Sequence, residues 1–304
     1  MPDTTHAIHW LQHAKQRLGL LPTLGGGVAA WQLQRPHGTL DLWRPWMGDV
    51  DRYSLASFAM VPWSNRISGG GFDFGGVHHP IALNREGEPY PIHGDGWLQK
   101  WVLSQPSSDS VVMHLESNGF AGNPYQYLAE QRFVLREDGM DQTLCVTHRG
   151  ERPLPYGLGQ HPWFVRDEHT QLQADVSSVW LSANGTLSTV NSRVFPSTWD
   201  LRAGIHASGN LIDNVYAGWS GAARITWPSH KLALTVRVAQ EQTVAPRNEG
   251  YCLLYRPSHG SVFCFEPVTH PIDAFHLPHL PGLRVLQTGE SMQLHIAWRF
   301  DALP

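Results

Sequence analysis

The sequence of 304 residues has few of the residues that several protein classes require. Cysteine occurs three times, at Cys145, Cys252 and Cys264. No two of them are closely spaced, so neither a disulfide framework nor a zinc knuckle is predicted, and we interpret them as free thiols in a reducing compartment. Only three residues are lysine and the formal net charge is -4. This charge balance offers no electrostatic basis for binding nucleic acid or an anionic membrane.

Long apolar runs are also missing. No stretch approaches the roughly 18 apolar residues that a membrane-spanning helix needs. The first 15 residues are polar and acidic where a signal peptide has a basic end and an apolar segment. We therefore expect a cytoplasmic protein. No low-complexity linker or internal repeat interrupts the chain, which predicts a single domain over residues 1–304.

Glycine and proline are spread throughout, at 29 and 22 residues, and leave little room for long helices. Apolar and polar residues instead alternate in short segments, which is typical of antiparallel strands with one buried face. The clearest are 111–116, 131–135, 140–147, 232–238 and 291–298. Turn-forming residues separate such segments at 136–139, 184–185, 257–260 and 288–290. The pattern predicts an all-β fold, a sandwich or a barrel.

The segment 10–21 is ambiguous, because its apolar residues could form a helical stripe. Gly19 and Pro22 disfavour a helix there, so we interpret it as an opening β-hairpin.

Histidine is abundant, with 18 residues. The pairs His78–His79 and His276–His279 raise the question of a metal. Neither matches the usual spacing of zinc ligands, and we expect neither a bound metal nor a cofactor.

Two histidines lie among glycine, proline and aromatic residues rather than within alternating strands. Gly94 and Gly96 closely follow His93, which is expected to let the backbone turn sharply and leave the imidazole accessible. Pro162 favours an extended backbone at His161. Each could equally be a structural residue, His93 capping a carbonyl in a hairpin loop and His161 satisfied at a strand end.

Glu266 is a stronger candidate for chemistry. It follows the apolar segment 262–265 and precedes a proline, so it is expected at a strand end in partly apolar surroundings. Burying a carboxylate is costly, and desolvation raises its pKa towards the range of a general base. Those two arguments favour a functional role for Glu266.

Taken in order, these clusters resemble the aldose 1-epimerase (galactose mutarotase) family. The similarity extends from about residue 21 to residue 298. One departure is Trp163, which stands where the family usually has tyrosine. The matching segments are Asn65-Arg66-Ile67 with Gly70 and Phe72, His93-Gly94 with Trp97 and Trp101, Gly159–Phe164, Leu211–Tyr216 with Gly218 and Trp219, and Phe265–Phe275.

The resemblance implies a β-supersandwich of two large twisted antiparallel sheets, and it implies a role for each matching residue. Glu266 would take the proton from the anomeric hydroxyl of a sugar, and His161 would protonate the ring oxygen. Arg66, His93 and Asp213 would bind hydroxyls or polarise the ring oxygen, with Asn65 supporting the loop of Arg66. The expected partner is a free monosaccharide, and no cofactor is implied because ring opening needs only proton transfers.

Three alternatives stay open at this point. The hexose-6-phosphate branch of the same superfamily would need basic residues placed for a phosphate. A non-catalytic sugar-binding or sensor protein would keep the groove but could lose the acid or the base. A glycoside hydrolase would use two opposed carboxylates, for which Asp213 and Glu266 could be proposed, but it leaves the histidines unexplained.

Overall fold

The alternating segments of the sequence form antiparallel strands in the computed structural model of the protein, which describes residues 6–104, 106–182, 187–239 and 250–303. The predicted turn at 184–185 lies outside the described residues. The strands are β1 (His9–His13), β2 (Gln16–Leu21), β3 (Gly27–Arg35), β4 (Gly38–Asp41), β5 (Ala59–Met60), β6 (Gly71–Phe74), β7 (Val77–Pro80), β8 (Val102–Ser104), β9 (Ser110–Asn118), β10 (Gln126–Arg136), β11 (Gly139–His148), β12 (Leu154–Tyr156), β13 (Gly159–Gln160), β14 (Trp163–Val165), β15 (Gln171–Ala174), β16 (Ser178–Ser182), β17 (Ser188–Ser192), β18 (Ile205–His206), β19 (Ile212–Ala217), β20 (Ala222–Trp227), β21 (Leu232–Val238), β22 (Tyr251–Arg256), β23 (Val262–Val268), β24 (Arg284–Leu286) and β25 (Ser291–Ala302).

Helical structure in the described residues is confined to short 3-10 turns of three residues each. They are Arg52–Ser54, Gly96–Leu98, Phe120–Gly122, Leu201–Ala203, Pro228–His230 and Ala274–His276. No helix in the described part of the chain is both long enough and apolar enough to cross a membrane.

Two large antiparallel sheets dominate the architecture. One has nine strands in the order β18-β15-β20-β21-β25-β11-β10-β9-β8. The other has the order β17-β16-β19-β22-β23-β13-β5, with β14 added beside β23. The fold also contains a four-stranded sheet, β1-β2-β3-β4, and two two-stranded sheets, β6-β7 and β12-β24. The prediction of an all-β supersandwich is confirmed.

The predicted strands and the predicted hairpin are confirmed as well. All five alternating segments lie within strands, namely β9, β10, β11, β21 and β25. The ambiguous segment 10–21 forms the hairpin β1–β2, in which Leu11 pairs with Leu18. Both leucines are fully buried. The hairpin buries these side chains against a sheet, which a short helix with Gly19 near its end could not do as well.

Two local predictions are wrong. His93, expected to be accessible, is buried because aromatic residues pack around it. Glu266 lies within β23 rather than at its end.

Strand β23 shows how the large sheets divide their side chains between two environments. Phe263 and Phe265 point into the main hydrophobic core, which also holds residues of the nine-stranded sheet such as Trp298. Successive side chains of a strand point to opposite faces. Cys264 and Glu266 therefore lie on the other face of the same sheet, away from that core.

Candidate active site

The second face of the eight-stranded sheet carries a row of side chains from adjacent strands, among them the candidate residues Asp213 and Glu266. Asp213 of β19 pairs with Tyr255 of β22, Tyr255 pairs with Cys264 of β23, and Cys264 pairs with Trp163 of β14. Residues directly opposite each other in antiparallel strands share a face of the sheet. Glu266 lies two residues after Cys264 and joins the same face, next to Leu253.

The two residues predicted to move protons are in contact. Nε2 of His161 lies 3.4 Å from Oε1 of Glu266. His161 follows β13, where its backbone N–H donates to the carbonyl of Phe58, and its ring stacks on the Phe58 ring at 4.6 Å. The imidazole is thus held in place by a backbone hydrogen bond and an aromatic neighbour.

Both groups are removed from solvent, with 4% of His161 and 1% of Glu266 exposed. Burial lowers the pKa of His161 to about 3. Burial also raises the pKa of Glu266 well above its ordinary value, with the negative charge of Asp213 adding to the effect. Each group is therefore favoured in its neutral form, with a proton on the carboxyl and none added to the imidazole.

Part of this pair lacks hydrogen bonds. Nδ1 of His161 and Oε2 of Glu266 are buried, and among the described residues neither has a hydrogen-bond partner. Buried polar atoms normally have a hydrogen-bond partner. Two neighbouring groups that lack one therefore indicate a place where a polar ligand can bind.

Asn65 and His93 hold each other through reciprocal hydrogen bonds. The backbone N–H of Asn65 donates to Nδ1 of His93 at 3.0 Å, and the backbone N–H of His93 donates to the carbonyl of Asn65 at 2.9 Å. Because Nδ1 accepts, the neutral ring carries its proton on Nε2. Burial lowers the pKa of His93 well below its ordinary value, which keeps it in this neutral form. His93 therefore offers one N–H donor to a ligand.

Asn84 supports this arrangement from behind. Its side-chain amide donates to the carbonyls of Ile92 and Gly94 and accepts from the N–H of Ile92, all at 2.7–2.8 Å. These bonds bracket His93 on both sides. Asn84 is a positioning residue that the sequence did not reveal.

Arg66 lies between two carboxylates. Its guanidinium donates to both oxygens of Glu88, from Nε at 2.9 Å and from Nη2 at 3.2 Å, while Nη1 lies 3.6 Å from Oδ2 of Asp213. The two-pronged contact with Glu88 fixes the plane of the guanidinium. Burial raises the pKa of Asp213, and the positive charge of Arg66 opposes that effect.

His270 ties the loop that carries Asn65 and Arg66 to the segment following β23. The backbone N–H of Ser64 donates to Nε2 of His270 at 3.0 Å, and Nδ1 of the same ring lies 2.8 Å from the carbonyl of Pro271. The imidazole is therefore neutral with its proton on Nδ1.

The mouth of the site is framed by stacked cations and aromatic rings. Arg85 lies over the ring of Tyr53, with its guanidinium carbon 3.3 Å from the ring centroid. Nη1 of Arg85 lies 3.7 Å from Oδ1 of Asp51. Arg44 lies over Trp163 at 4.3 Å. Arg44 also donates to the backbone carbonyls of Tyr53 and Leu55. Arg44 is thus held by hydrogen bonds within the protein, whereas Arg85 is held by its stacking on Tyr53 and a longer ion pair with Asp51.

All six residues predicted from the sequence line a single cavity of about 620 Å³. This volume is within the range of small-molecule sites. The cavity brings together residues separated by up to about 200 positions in the chain. The predicted residues are Asn65, Arg66, His93, His161, Asp213 and Glu266.

Known proteins are similar to this chain over nearly its whole length. The family profile of aldose 1-epimerases matches residues 9–299. The chain belongs to the aldose 1-epimerase family.

Relatives of the aldose 1-epimerase family align along almost the whole chain. The uncharacterized protein YphB of Escherichia coli (strain K12) is 29% identical over 300 residues, which are 96% of this chain and 99% of YphB. A crystal structure of a proposed aldose 1-epimerase from E. coli K12 superposes with a TM-score of 0.88 and 28% identity, over 98% of this chain and 99% of that one. A galactose mutarotase-like protein from Clostridium acetobutylicum has a TM-score of 0.83 at 16% identity, over 98% and 96% of the two chains, and shares the fold.

Other cavity residues of this aldose 1-epimerase family member were not predicted. Tyr53, Arg85 and Glu88 line the cavity but lie outside the segments that resemble the family. No local sequence pattern predicts these three residues, because each contacts a partner that is distant in sequence or lies across a loop. The charge of Arg66 was the only hint, since a buried guanidinium requires a carboxylate nearby.

Proposed function

We propose that the protein is an aldose 1-epimerase that interconverts the α and β anomers of a free aldose. The observation that supports it best is the buried contact of Glu266 with His161, 3.4 Å apart, with unpartnered polar atoms on both groups. Ring opening requires one proton to leave the anomeric hydroxyl and one to reach the ring oxygen. These two oxygens are bonded to the same carbon, so an adjacent base and acid can serve both.

The reaction follows from these positions. The Glu266 carboxylate takes the proton of the C1 hydroxyl while the His161 imidazolium donates a proton to the ring oxygen, and the C1–O5 bond breaks. Rotation about C1–C2 in the open aldehyde presents its other face. Return of both protons closes the ring as the other anomer, so no group or electron is transferred.

The protonation states fit a reversible cycle. The pair holds one exchangeable proton, which burial favours on Glu266 while His161 is neutral. This is the state that the cycle reaches when the sugar is open. Transfer of that proton across the 3.4 Å contact creates the carboxylate and the imidazolium, and hydroxyl groups of a bound sugar stabilise both charges by hydrogen bonding.

The remaining cavity residues suit an uncharged polyol. His93 presents an N–H donor, Arg66 and Asp213 present a donor and an acceptor side by side, and Trp163 provides an apolar wall. Holding the ring so that both proton transfers occur together supplies part of the rate enhancement.

The cavity offers few hydrogen-bond donors to the phosphate group of a sugar phosphate. Of the three arginines that line the cavity, Arg66 is held by the carboxylates of Glu88 and Asp213, and Arg44 donates to two backbone carbonyls and lies over Trp163. Arg85 lies over the ring of Tyr53 and contacts Asp51 only at 3.7 Å. A phosphate site needs uncommitted donors for its oxygens. Arg85 is the one cavity arginine whose guanidinium donates no hydrogen bond within the described residues, and so small a supply of donors favours a free aldose over a hexose 6-phosphate.

Replacing the acid and the base tests the proposal. Glu266→Gln and His161→Asn should each reduce catalysed mutarotation by about 10²–10⁴-fold, since positioned acids and bases contribute about that much. Polarimetry and NMR saturation transfer between anomers measure the rate for galactose, glucose and glucose 6-phosphate. Glu168→Gln, at an exposed carboxylate, is the matched control and should keep the wild-type rate.

The alternatives predict different results. A sugar-binding or sensor protein would bind aldoses without accelerating mutarotation even as wild type. A glycoside hydrolase would release reducing sugar from a glycoside panel. If either variant retained the wild-type rate while folded by circular dichroism, the assigned roles would be wrong.

A further inference from the structure

Cys264 has a position that the proposed proton transfers do not use. It lies on the same face of β23 as Glu266 and is fully buried beneath the cavity wall. Its sulfur, a carboxylate oxygen of Glu266 and an imidazole nitrogen of His161 all lie within 4.8 Å of one another. In the described part of the chain, this is the one group of three potential metal ligands that close together.

Two of the buried polar atoms of the cavity that lack a hydrogen-bond partner belong to this group. Nδ1 of His161 and Oε2 of Glu266 are buried and, in the described ranges, accept no hydrogen bond from the protein. The other two cysteines lie elsewhere: Cys252 belongs to the core between the sheets, and Cys145 is on β11 of the opposite sheet. Of the three cysteines, Cys264 is the one whose sulfur lies within 4.8 Å of ligand atoms of both His161 and Glu266.

We propose that His161, Glu266 and Cys264 form a three-ligand site for a thiophilic divalent cation such as Zn²⁺ or Cd²⁺. Nitrogen, sulfur and oxygen are the ligands that Zn²⁺ takes, at about 2.0–2.3 Å in a tetrahedron. A tetrahedron of those bond lengths separates nitrogen from oxygen by about 3.3 Å and sulfur from either by about 3.6 Å. The observed 3.4 Å between His161 and Glu266 already meets the first value.

The sulfur needs only a modest movement. Its distance of at most 4.8 Å must shorten by about 1 Å, which a rotation of the carboxylate or the thiol side chain provides. The cation displaces the thiol proton of Cys264 and the carboxyl proton of Glu266 to solvent, and the resulting thiolate and carboxylate balance its two positive charges. Water from the cavity that His161 and Glu266 line would complete the tetrahedron.

Such a cation would inhibit the enzyme, because it occupies the atoms that must exchange protons. This part rests on the proposed epimerase activity, whereas cation binding itself does not. Cys264 does not line the sugar cavity, so Cys264→Ser should retain mutarotation and lose sensitivity to the cation.

Cobalt substitution tests binding without any activity measurement. Titrating the metal-free protein with Co²⁺ should produce a sulfur-to-cobalt charge-transfer absorption and the visible bands of tetrahedral cobalt, which one equivalent of Zn²⁺ removes. The sulfur band should be absent in Cys264→Ser and unchanged in Cys145→Ser, the matched control. X-ray absorption of the zinc-loaded wild type should show one sulfur at about 2.3 Å, which checks the site without a variant.

Inhibition is measured on the same proteins. Zn²⁺ should abolish wild-type mutarotation reversibly, with recovery on adding a chelator, and should inhibit Cys264→Ser at least tenfold more weakly. Absence of the sulfur band in the wild type, or its persistence in Cys264→Ser, would overturn the proposed site. A sulfur band in a protein that shows no mutarotation without metal would instead refute the epimerase proposal and leave the cation site standing.

Discussion

Acidification should destabilise this protein through His270, whose neutral ring joins two segments of the active site. Its Nε2 accepts the N–H of Ser64, so protonation would turn an acceptor into a donor and break that bond. Burial lowers the pKa of His270 to about 4, although the bond to Pro271 opposes the shift. The unfolded chain has an ordinary pKa of 6.5 and takes up the proton first.

The sign and size of the effect follow from this difference. A group with a lowered pKa in the folded state stabilises the fold above pH 6.5, and that stability is lost as the pH falls from 6.5 to about 4. Since a pKa difference of one corresponds to about 1.4 kcal/mol, His270 should account for a loss of about 3 kcal/mol. His161 adds to the total, so the contribution of His270 must be isolated by a variant.

Urea unfolding followed by tryptophan fluorescence at pH 7 and pH 4 measures it. The free energy of unfolding of wild type should fall between these pH values by about 3 kcal/mol more than that of His270→Asn. His37→Asn, at an exposed histidine, should leave the wild-type pH dependence unchanged. Equal pH dependence of wild type and His270→Asn would show that the buried ring is protonated as readily as a free one, and the reasoning would fail.

Two further substitutions test the supports of the site. Glu88→Gln should raise KM for the aldose about tenfold with a smaller effect on kcat, because the neutral amide cannot hold the Arg66 guanidinium by two charged hydrogen bonds. Steady-state polarimetry measures both constants, and an unchanged KM would exclude a positioning role for Glu88. Gly157→Ala should lower the free energy of unfolding by about 2–3 kcal/mol, because the added Cβ would come within 2.0 Å of Cδ2 of His270. The urea midpoint at pH 7 measures this loss. A stability equal to that of wild type would show that the His270 ring can move aside.

Many strands of the fold could be predicted from the sequence, because the alternation of apolar and polar residues is a local property. Strands β9, β10, β11, β21 and β25 follow directly from it, since a sheet with one buried face needs side chains of period two. The hairpin at 10–21 required a choice between two periodicities, which glycine and proline decided. How nine strands order themselves in one sheet has no such local signal.

Local chemistry identified Glu266 as a functional candidate, but it could not decide between structural and functional roles for His93 and His161. The ordered set of motifs supplied the rest, through resemblance to a family. The tertiary structure then showed that all six predicted residues line one cavity. The roles assigned to each of them stay predictions for mutagenesis.

The partners of these residues depend entirely on the tertiary structure. Glu88 pairs with Arg66 across a loop, and Cys264 lies beside His161 because a strand register brings β14 and β23 together. Burial also sets the protonation of Glu266 and His161, since desolvation depends on every segment that covers them. Residue type is a property of the chain, whereas contact and dielectric environment arise only when distant segments pack together.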